Sequence, residues 1–132
     1  MLKYDTTPYA TLILRLTMGL LFLIHMGEKL FVFTPEGTVK YFTSLGLPGD
    51  LAYVVIAWEI VGAVALLLGV WARPIALLMI PDLLGTIINV HGPAGFFFNN
   101  PNGGWEFPAL WIIGLLVLAL SDKEIFAVKT CR

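Results

Sequence analysis

The chain has 132 residues, of which 58% are hydrophobic and only 13% are charged, and its mean hydropathy is +0.87. This composition excludes an ordinary water-soluble domain. The formal net charge is −1 and the eight Lys and Arg residues form no basic tract, so we expect no nucleic-acid partner. The single cysteine, Cys131, excludes an internal disulfide and a Cys-x-x-Cys redox pair.

Apolar segments long enough to cross a bilayer follow one another along the chain. A spanning helix needs about 20 mostly apolar residues, because the hydrocarbon layer is roughly 30 Å thick and each helical residue rises about 1.5 Å. Three spans meet this criterion: residues 9–33, 51–70 and 74–90. A fourth apolar run, 105–121, lies near the lower length limit, where a re-entrant segment is the alternative. The sequence therefore predicts an all-α, integral membrane four-helix bundle that forms one domain over residues 1–132.

Basic residues are divided unevenly between the two sides of such a bundle. The side that holds both termini carries five of them: Lys3, Arg73, Lys123, Lys129 and Arg132. The other side has Lys29, at the membrane edge, and Lys40. Because cytoplasmic loops carry an excess of Lys and Arg, the N- and C-termini are predicted to be cytoplasmic in a multi-pass protein of the cell membrane. The connections 34–50 and 91–107 then lie on the far side.

The second of these connections has an unusual composition. It reads HGPAGFFFNNPNGGWEF, so that Phe96, Phe97 and Phe98 follow one another among turn residues. Aromatic rings of this kind favour the headgroup region or the mouth of a bundle. We therefore expect a lid over the bundle rather than a free loop.

Two ionisable residues in the inner half of the spans are predicted to pair. A charge that faces lipid at the bilayer centre costs about 2.5–3.5 kcal/mol on insertion scales, so such residues should face inward and find partners. Counted from the cytoplasmic end, Arg15 in the first span and Asp82 in the third lie at similar depths. We predict an ion pair between them, and a packing role for this pair is favoured over proton movement.

Toward the outer side, ionisable groups are concentrated. On the first helix Arg15, Met18, Phe22, His25 and Lys29 recur at spacings of three and four, which places them on one inward face. The residues predicted to bind a ligand or transfer protons are His25, Lys29, Glu59, His91 and Glu106.

His25 and Glu59 lie at similar depths on neighbouring helices. Because a histidine titrates near neutral pH, these two can relay protons or hold a polar head group. The plainer alternative is a satisfied polar contact inside the bundle. The outer residues are also of metal-ligand types, but they come from separate segments without a local ligand motif, so neither a metal nor a haem is expected.

Five segments together resemble the DoxX family of small membrane proteins: RLTMGLLFLIHMGEKL, FTSLGLPGD, WEIVGAVALLLGVWARP, HGPAGFFF and WEFP. The positions that match the family's pattern are Arg15, His25, Lys29, Glu59, Glu106 and Pro108. The resemblance covers nearly the whole chain and implies a four-helix membrane bundle, whereas Asp82 has no counterpart in the family pattern. It also implies relatives linked with quinone-dependent sulfur oxidation, terminal quinol oxidases or the assembly of membrane receptors, so that family membership does not fix a reaction.

Two functions of different classes are compatible with the sequence. The first is a redox-linked subunit that binds quinone or quinol near the outer face, where His25 and Glu59 hydrogen-bond the head group and a membrane partner protein supplies electrons. The second is a non-enzymatic assembly protein whose apolar faces recruit another membrane protein or a second copy of the chain. Small residues such as Gly62, Ala63 and Gly69 permit the close helix contacts that the second function needs.

Overall fold

The computed structural model describes residues 5–101 and 103–130. This part of the chain is all-α and forms five α-helices: α1 Thr7–Gly27, α2 Thr34–Ser44, α3 Leu51–Leu68, α4 Ala72–Thr86 and α5 Glu106–Leu120. Two of the helices continue into π-helical turns, α1 over Glu28–Val32 and α4 over Ile87–His91. Three residues used in the sequence-based interpretation lie outside the described residues: Lys3, Cys131 and Arg132.

Three helical segments in the described part are long and apolar enough to cross a membrane: Thr7–Val32 with 26 residues, Leu51–Leu68 with 18 and Ala72–His91 with 20. Their ends lie close to those predicted from hydropathy. Helix α5 is also apolar but has only 15 residues, a length of about 22 Å at the helical rise of 1.5 Å per residue. The structure thus supports three long spans and one shorter apolar helix.

The connection 34–50 contains the helix α2, which the sequence-based interpretation did not include. Pro35 occupies one of its first positions, where the missing N–H is tolerated. The Oγ1 of Thr34 accepts a hydrogen bond from the Gly37 N–H at 3.1 Å. Thr38, which is 3% exposed, donates to the carbonyl of Thr34 at 2.9 Å. The Thr, Pro and Gly residues at the beginning of this connection therefore form the first turn of a short helix.

The hydrophobic core lies where α1, α3, α4 and α5 meet. Its largest fully buried apolar side chains are Phe22, Leu66, Met79, Leu115 and Leu118. Glycines bring the helices close together, since a side chain at Gly62 would collide with Met79 and one at Gly114 would collide with Met18. Such small residues permit helix packing in membranes, where van der Waals contact drives association.

Helix α5 runs antiparallel to α1 along most of its length. The hydroxyls of Thr11 and Ser121 are hydrogen-bonded at 2.5 Å. Farther along, Gly114 lies against Met18. Beyond Ser121, Lys123 forms an exposed ion pair with Asp5, and its hydrogen bond holds the pKa of Asp5 below its usual range. The two ends of the described chain therefore lie at the same end of the bundle.

Arg15 does not form the predicted ion pair with Asp82. Its side chain is 1% exposed, and the guanidinium donates to the carbonyls of Leu66 at 3.1 Å and Leu67 at 3.4 Å. These carbonyls belong to the last turn of α3, where helix geometry leaves oxygens without intrahelical partners and the helix dipole favours a cation. Asp82 lies in the second half of α4, so the two residues are at different depths.

The segment after α5 also accepts hydrogen bonds from Arg15 and lies against the end of α3. Arg15 also donates to the carbonyls of Ile125 at 3.3 Å and Phe126 at 2.9 Å. The N–H of Val128 donates to the Leu68 carbonyl at 2.9 Å, and an isolated parallel bridge joins Val70 and Lys129. This tail therefore covers the end of α3. The partners of Arg15 are main-chain carbonyls, which the sequence could not identify.

Candidate functional site

A cavity of about 250 Å³ lies between α1, α3, α4 and α5, at the end of the bundle away from the chain termini. Its polar lining consists of His25, Lys29, Glu59, Asp82, Thr86 and His91. Its aromatic lining consists of Phe22, Phe98, Phe107 and Trp111. Four of the five residues predicted to bind a ligand or move protons thus surround one cavity, and Glu106 is absent from its lining.

Lys29 and Glu59 form a buried ion pair at the wall of this cavity. The Nζ of Lys29 donates to both carboxylate oxygens of Glu59, at 2.8 and 2.9 Å. Their side chains are 20% and 4% exposed. Lys29 belongs to the π-helical turn that follows α1, a local widening that is frequent at functional sites. Glu59 therefore pairs with Lys29, whereas the sequence had suggested His25 as its partner.

Asp82 is a member of this site that the sequence-based reasoning placed elsewhere. Its carboxyl lines the same cavity as that of Glu59. The α3–α4 hairpin explains this placement, because Gly62 faces Met79 across it and three residues further toward the open end Glu59 meets Asp82. Counting outward from the hairpin turn would have found this neighbour. One ammonium, that of Lys29, thus faces two carboxyl groups.

His25 lies against an aromatic wall centred on Trp111. The centroid of the Trp111 ring is 5.0 Å from that of His25, 4.6 Å from that of Phe22 and 5.8 Å from that of Phe107. Trp111 is 5% exposed, and its Nε1 has no hydrogen-bond partner among the described residues. The sequence-based reasoning did not single out Trp111, because an aromatic residue in an apolar helix gives no signal of function.

His91 and the Phe-rich connection cover one side of the cavity. The Nδ1 of His91 lies 2.7 Å from the carbonyl oxygen of Gly103. The N–H of Phe98 donates to the Glu106 carboxylate at 3.2 Å, so Glu106 anchors the connection from the first turn of α5. Phe98 lines the cavity. Of the three phenylalanines of the predicted lid it is the one in that lining, and it is 68% exposed.

The other two phenylalanines of the predicted lid lie outside the cavity lining. The ring of Phe96 packs edge-on against Trp105 at 4.7 Å and against Phe97 at 5.3 Å. Phe97 is 61% exposed. Backbone hydrogen bonds from Trp105 to Gly95 at 2.9 Å and from Glu106 to Phe96 at 3.0 Å hold the connection in place. The connection is thus a series of turns with one of its phenylalanines, Phe98, in the cavity lining.

Metal-ligand residue types occur at this site without forming a metal-binding set. Within residues 5–101 and 103–130, no three His, Cys, Asp or Glu side chains are grouped so that they could hold a metal ion. The arrangement instead combines one ammonium, two carboxyls and two imidazoles with aromatic rings. Such a cavity suits a small ring compound with polar substituents.

Comparison with known proteins identifies the family. The model of the DoxX family matches residues 10–92. The chain belongs to the DoxX family. Within the DoxX match lie His25, Lys29, Glu59, Asp82 and His91, whereas Trp111 lies beyond it. The family resemblance deduced from the sequence is thereby confirmed.

Two relatives of this DoxX protein are known by name. It is 35% identical over 117 residues to "Putative oxidoreductase CatD" of Bacillus subtilis strain 168, with 89% of this chain and 82% of that protein covered. It is 36% identical over 86 residues to "Inner membrane protein YphA" of Escherichia coli strain K12, with 64% of this chain and 60% of that protein covered. No solved structure gives a significant match. The family and the long apolar helices together make this a multi-pass membrane protein.

Proposed function

We propose that this DoxX protein binds the head group of a quinone or quinol in the cavity at the far end of the bundle, as a subunit of a redox-linked membrane complex. The observation that carries the proposal is the cavity itself, in which the Lys29–Glu59 pair, two imidazoles and Asp82 face aromatic walls. The oxidoreductase name of the relative from Bacillus subtilis supports the redox link.

The size and setting of the cavity fit this ligand class. Its volume of about 250 Å³ is below the roughly 300–1,000 Å³ of sites for drug-sized ligands, so it suits a single ring. An isoprenoid tail would extend between helices into lipid. The partner membrane protein, rather than this chain, would supply or accept the electrons.

The residues around the cavity have separable roles in this proposal. His25, which is half-buried, can donate to or accept from a ring oxygen, and His91 can do so from the side of the Phe-rich connection. The ion pair with Lys29 fixes the carboxylate of Glu59 in place. Phe98 lies where it limits entry from the connection.

The proposal requires the cavity to lie near the outer face, with α5 as the fourth span and both termini cytoplasmic. In support, α5 follows α1 from Ser121, beside Thr11, to Trp111, beside Phe22. Of the described basic residues, Arg73, Lys123 and Lys129 come from the end of the bundle that holds the chain termini. Lys29 and Lys40 belong to the other end. This asymmetry is typical of a cytoplasmic end rich in Lys and Arg.

Labelling with a membrane-impermeant maleimide tests this topology in a Cys131→Ser background. Asn99→Cys, at an exposed position of the Phe-rich connection, should react in intact cells. Asp122→Cys, exposed at the opposite end, should react only after the membrane is opened. Reaction of both sites from outside, or of Asp122→Cys alone, would contradict the proposed orientation.

Quinone retention by purified variants tests the ligand. Ubiquinone-1 binding to the protein in nanodiscs is expected to weaken about tenfold or more in His25→Ala, because a hydrogen bond and a ring contact are lost together. Glu59→Gln, which keeps the size and a hydrogen-bonding group, is expected to weaken binding by about threefold or less. Equilibrium dialysis followed by chromatography of the extracted quinone measures both.

Glu28→Gln is the matched control for these variants, since Glu28 is exposed and lies outside the cavity lining. Its binding should equal that of the wild type. Absence of ubiquinone-1 binding in the wild type, or equal retention in all the proteins, would overturn the proposal. A membrane protein that co-purifies with all of them would then favour the assembly role.

A further inference from the structure

The indole N–H of Trp111 is a buried donor without an acceptor. Trp111 is 5% exposed, and its Nε1 has no hydrogen-bond partner in the described part of the chain. Buried donors in folded proteins are almost always satisfied, so an unpaired one requires an explanation. Trp58, which is half-buried, has an acceptor inside the protein, because its Nε1 donates to the carbonyl of Leu78 at 3.3 Å.

Packing holds the indole of Trp111 at the cavity wall. Phe22 and His25 lie against the ring from α1, at centroid distances of 4.6 and 5.0 Å. Phe107 contacts it from the preceding turn of α5 at 5.8 Å. These neighbours leave the ring little freedom to reach another acceptor. Trp111 is also one of the residues that line the cavity.

Charge at the cavity limits what can occupy it. The ammonium of Lys29 is engaged by both oxygens of Glu59, and the carboxyl of Asp82 lines the same cavity. An anionic ligand would meet two carboxyl groups and an ammonium that already has its counter-ion. Like charges in a poorly solvated site repel strongly. The cavity therefore favours an uncharged molecule whose oxygen can accept a hydrogen bond.

We propose that the Trp111 N–H donates a hydrogen bond to a neutral oxygen acceptor, a ring carbonyl or hydroxyl, of the molecule bound in the cavity. This inference rests on the proposed function and assigns to it a binding residue in α5, beyond the part of the chain that the family model matches. The indole acts as a neutral donor, so it selects for a carbonyl-bearing ring without adding charge to the site.

The substitution Trp111→Phe isolates the donor, because it keeps an aromatic ring and removes the N–H. Binding of ubiquinone-1 is expected to weaken about tenfold, the usual size of one lost hydrogen bond to a buried group. The unfolding midpoint of the ligand-free protein is expected to stay unchanged or rise, because the variant no longer buries an unsatisfied donor. A purely structural tryptophan would instead lower that midpoint when replaced.

Trp58→Phe is the matched control, since it removes an indole N–H that has an acceptor inside the protein. It should lower the unfolding midpoint and leave ubiquinone-1 binding unchanged. Nuclear magnetic resonance of the four tryptophan indoles supplies an independent measurement. The Trp111 indole proton should move downfield when ubiquinone-1 is added, and Phe variants of the other three tryptophans assign it by elimination even if Trp111→Phe does not fold.

The results of these experiments distinguish a failure of the proposed Trp111 role from a failure of the proposed function, on which that role rests. Equal binding by wild type and Trp111→Phe, or no movement of the Trp111 indole proton during a titration that saturates the wild type, overturns the role of Trp111 alone. Failure of the wild type to bind ubiquinone-1 overturns the proposed function and this inference together. Weaker binding in Trp111→Phe with an unchanged or higher midpoint supports both.

Discussion

Replacing Lys29 by methionine is expected to lower the free energy of unfolding by about 3–5 kcal/mol, the usual effect of removing one partner of a buried ion pair. The Nζ of Lys29 bonds both oxygens of Glu59 at 2.8 and 2.9 Å, and the Glu59 side chain is only 4% exposed. Without the ammonium, that carboxylate would stay buried in the wall of a cavity that Asp82 also lines. Unfolding of the helices by dodecyl sulfate in mixed micelles, followed by circular dichroism, measures the loss.

The double variant Lys29→Met with Glu59→Met is expected to be more stable than Lys29→Met alone. Removing both partners leaves no uncompensated charge in the bundle. Lys123→Met is the matched control, because its partner Asp5 is also a carboxylate but both side chains are exposed. Pairs of this kind contribute little to stability, so no change should be resolved. Equal losses for Lys29→Met and Lys123→Met would show that the inner pair is not buried in the folded protein.

The long helices could be predicted from the sequence because hydropathy and length are local properties. The apolar runs around 9–33, 51–70 and 74–90 correspond to segments that satisfy the length of a span in the structure. The helix α2 could not be predicted in the same way. Its buried residue Thr38 also donates to the carbonyl of Lys29 at 3.4 Å, and no periodicity reveals such a contact across a bend.

Much of the candidate site could also be predicted from the depth of its residues along the helices. His25, Lys29, Glu59 and His91 are all predicted to lie toward the outer side of the bundle, and all four line the cavity. The position of a residue along its helix does not determine which neighbouring side chain it pairs with. Glu59 lies within reach of several groups, and its pairing with Lys29 depends on the π-helical turn that carries Lys29.

Two further features depend on tertiary contacts that the sequence conceals. Arg15 satisfies its donors with main-chain carbonyls, including two from the tail after α5, and every residue offers a carbonyl. In the sequence, Trp111 cannot be distinguished from an aromatic residue that only packs in the core. Two properties distinguish it: its Nε1 has no partner among the described residues, and the residue lines the cavity. Sequence patterns identify candidate charged residues readily, but they rarely identify the main-chain carbonyls or aromatic side chains that interact with them.

Replacing Arg15 by methionine is expected to lower the free energy of unfolding by about 2–4 kcal/mol, because hydrogen bonds to a charged donor contribute about 1.5–3 kcal/mol each and are not additive. The guanidinium is 1% exposed and bonds carbonyls in the last turn of α3 and in the tail. Its loss would leave these carbonyls without a donor and remove the cation that favours the end of the helix. The same dodecyl sulfate titration measures this change.

Double variants show which residue Arg15 is coupled to. With Asp82→Asn, the two changes should add to within about 0.5 kcal/mol, as expected for sites without shared partners. With Gly69→Ala they should not add, because a side chain at Gly69, where φ is +76°, would collide with the Arg15 guanidinium and with Ala127. Part of the strain in Gly69→Ala should therefore disappear once Arg15 is methionine. Gly85→Ala is the control, since nothing lies within 4 Å of the added methyl group, and it should add to Arg15→Met. Additivity with Gly69→Ala together with coupling to Asp82→Asn would instead restore the Arg15–Asp82 ion pair and remove Arg15 from the end of α3.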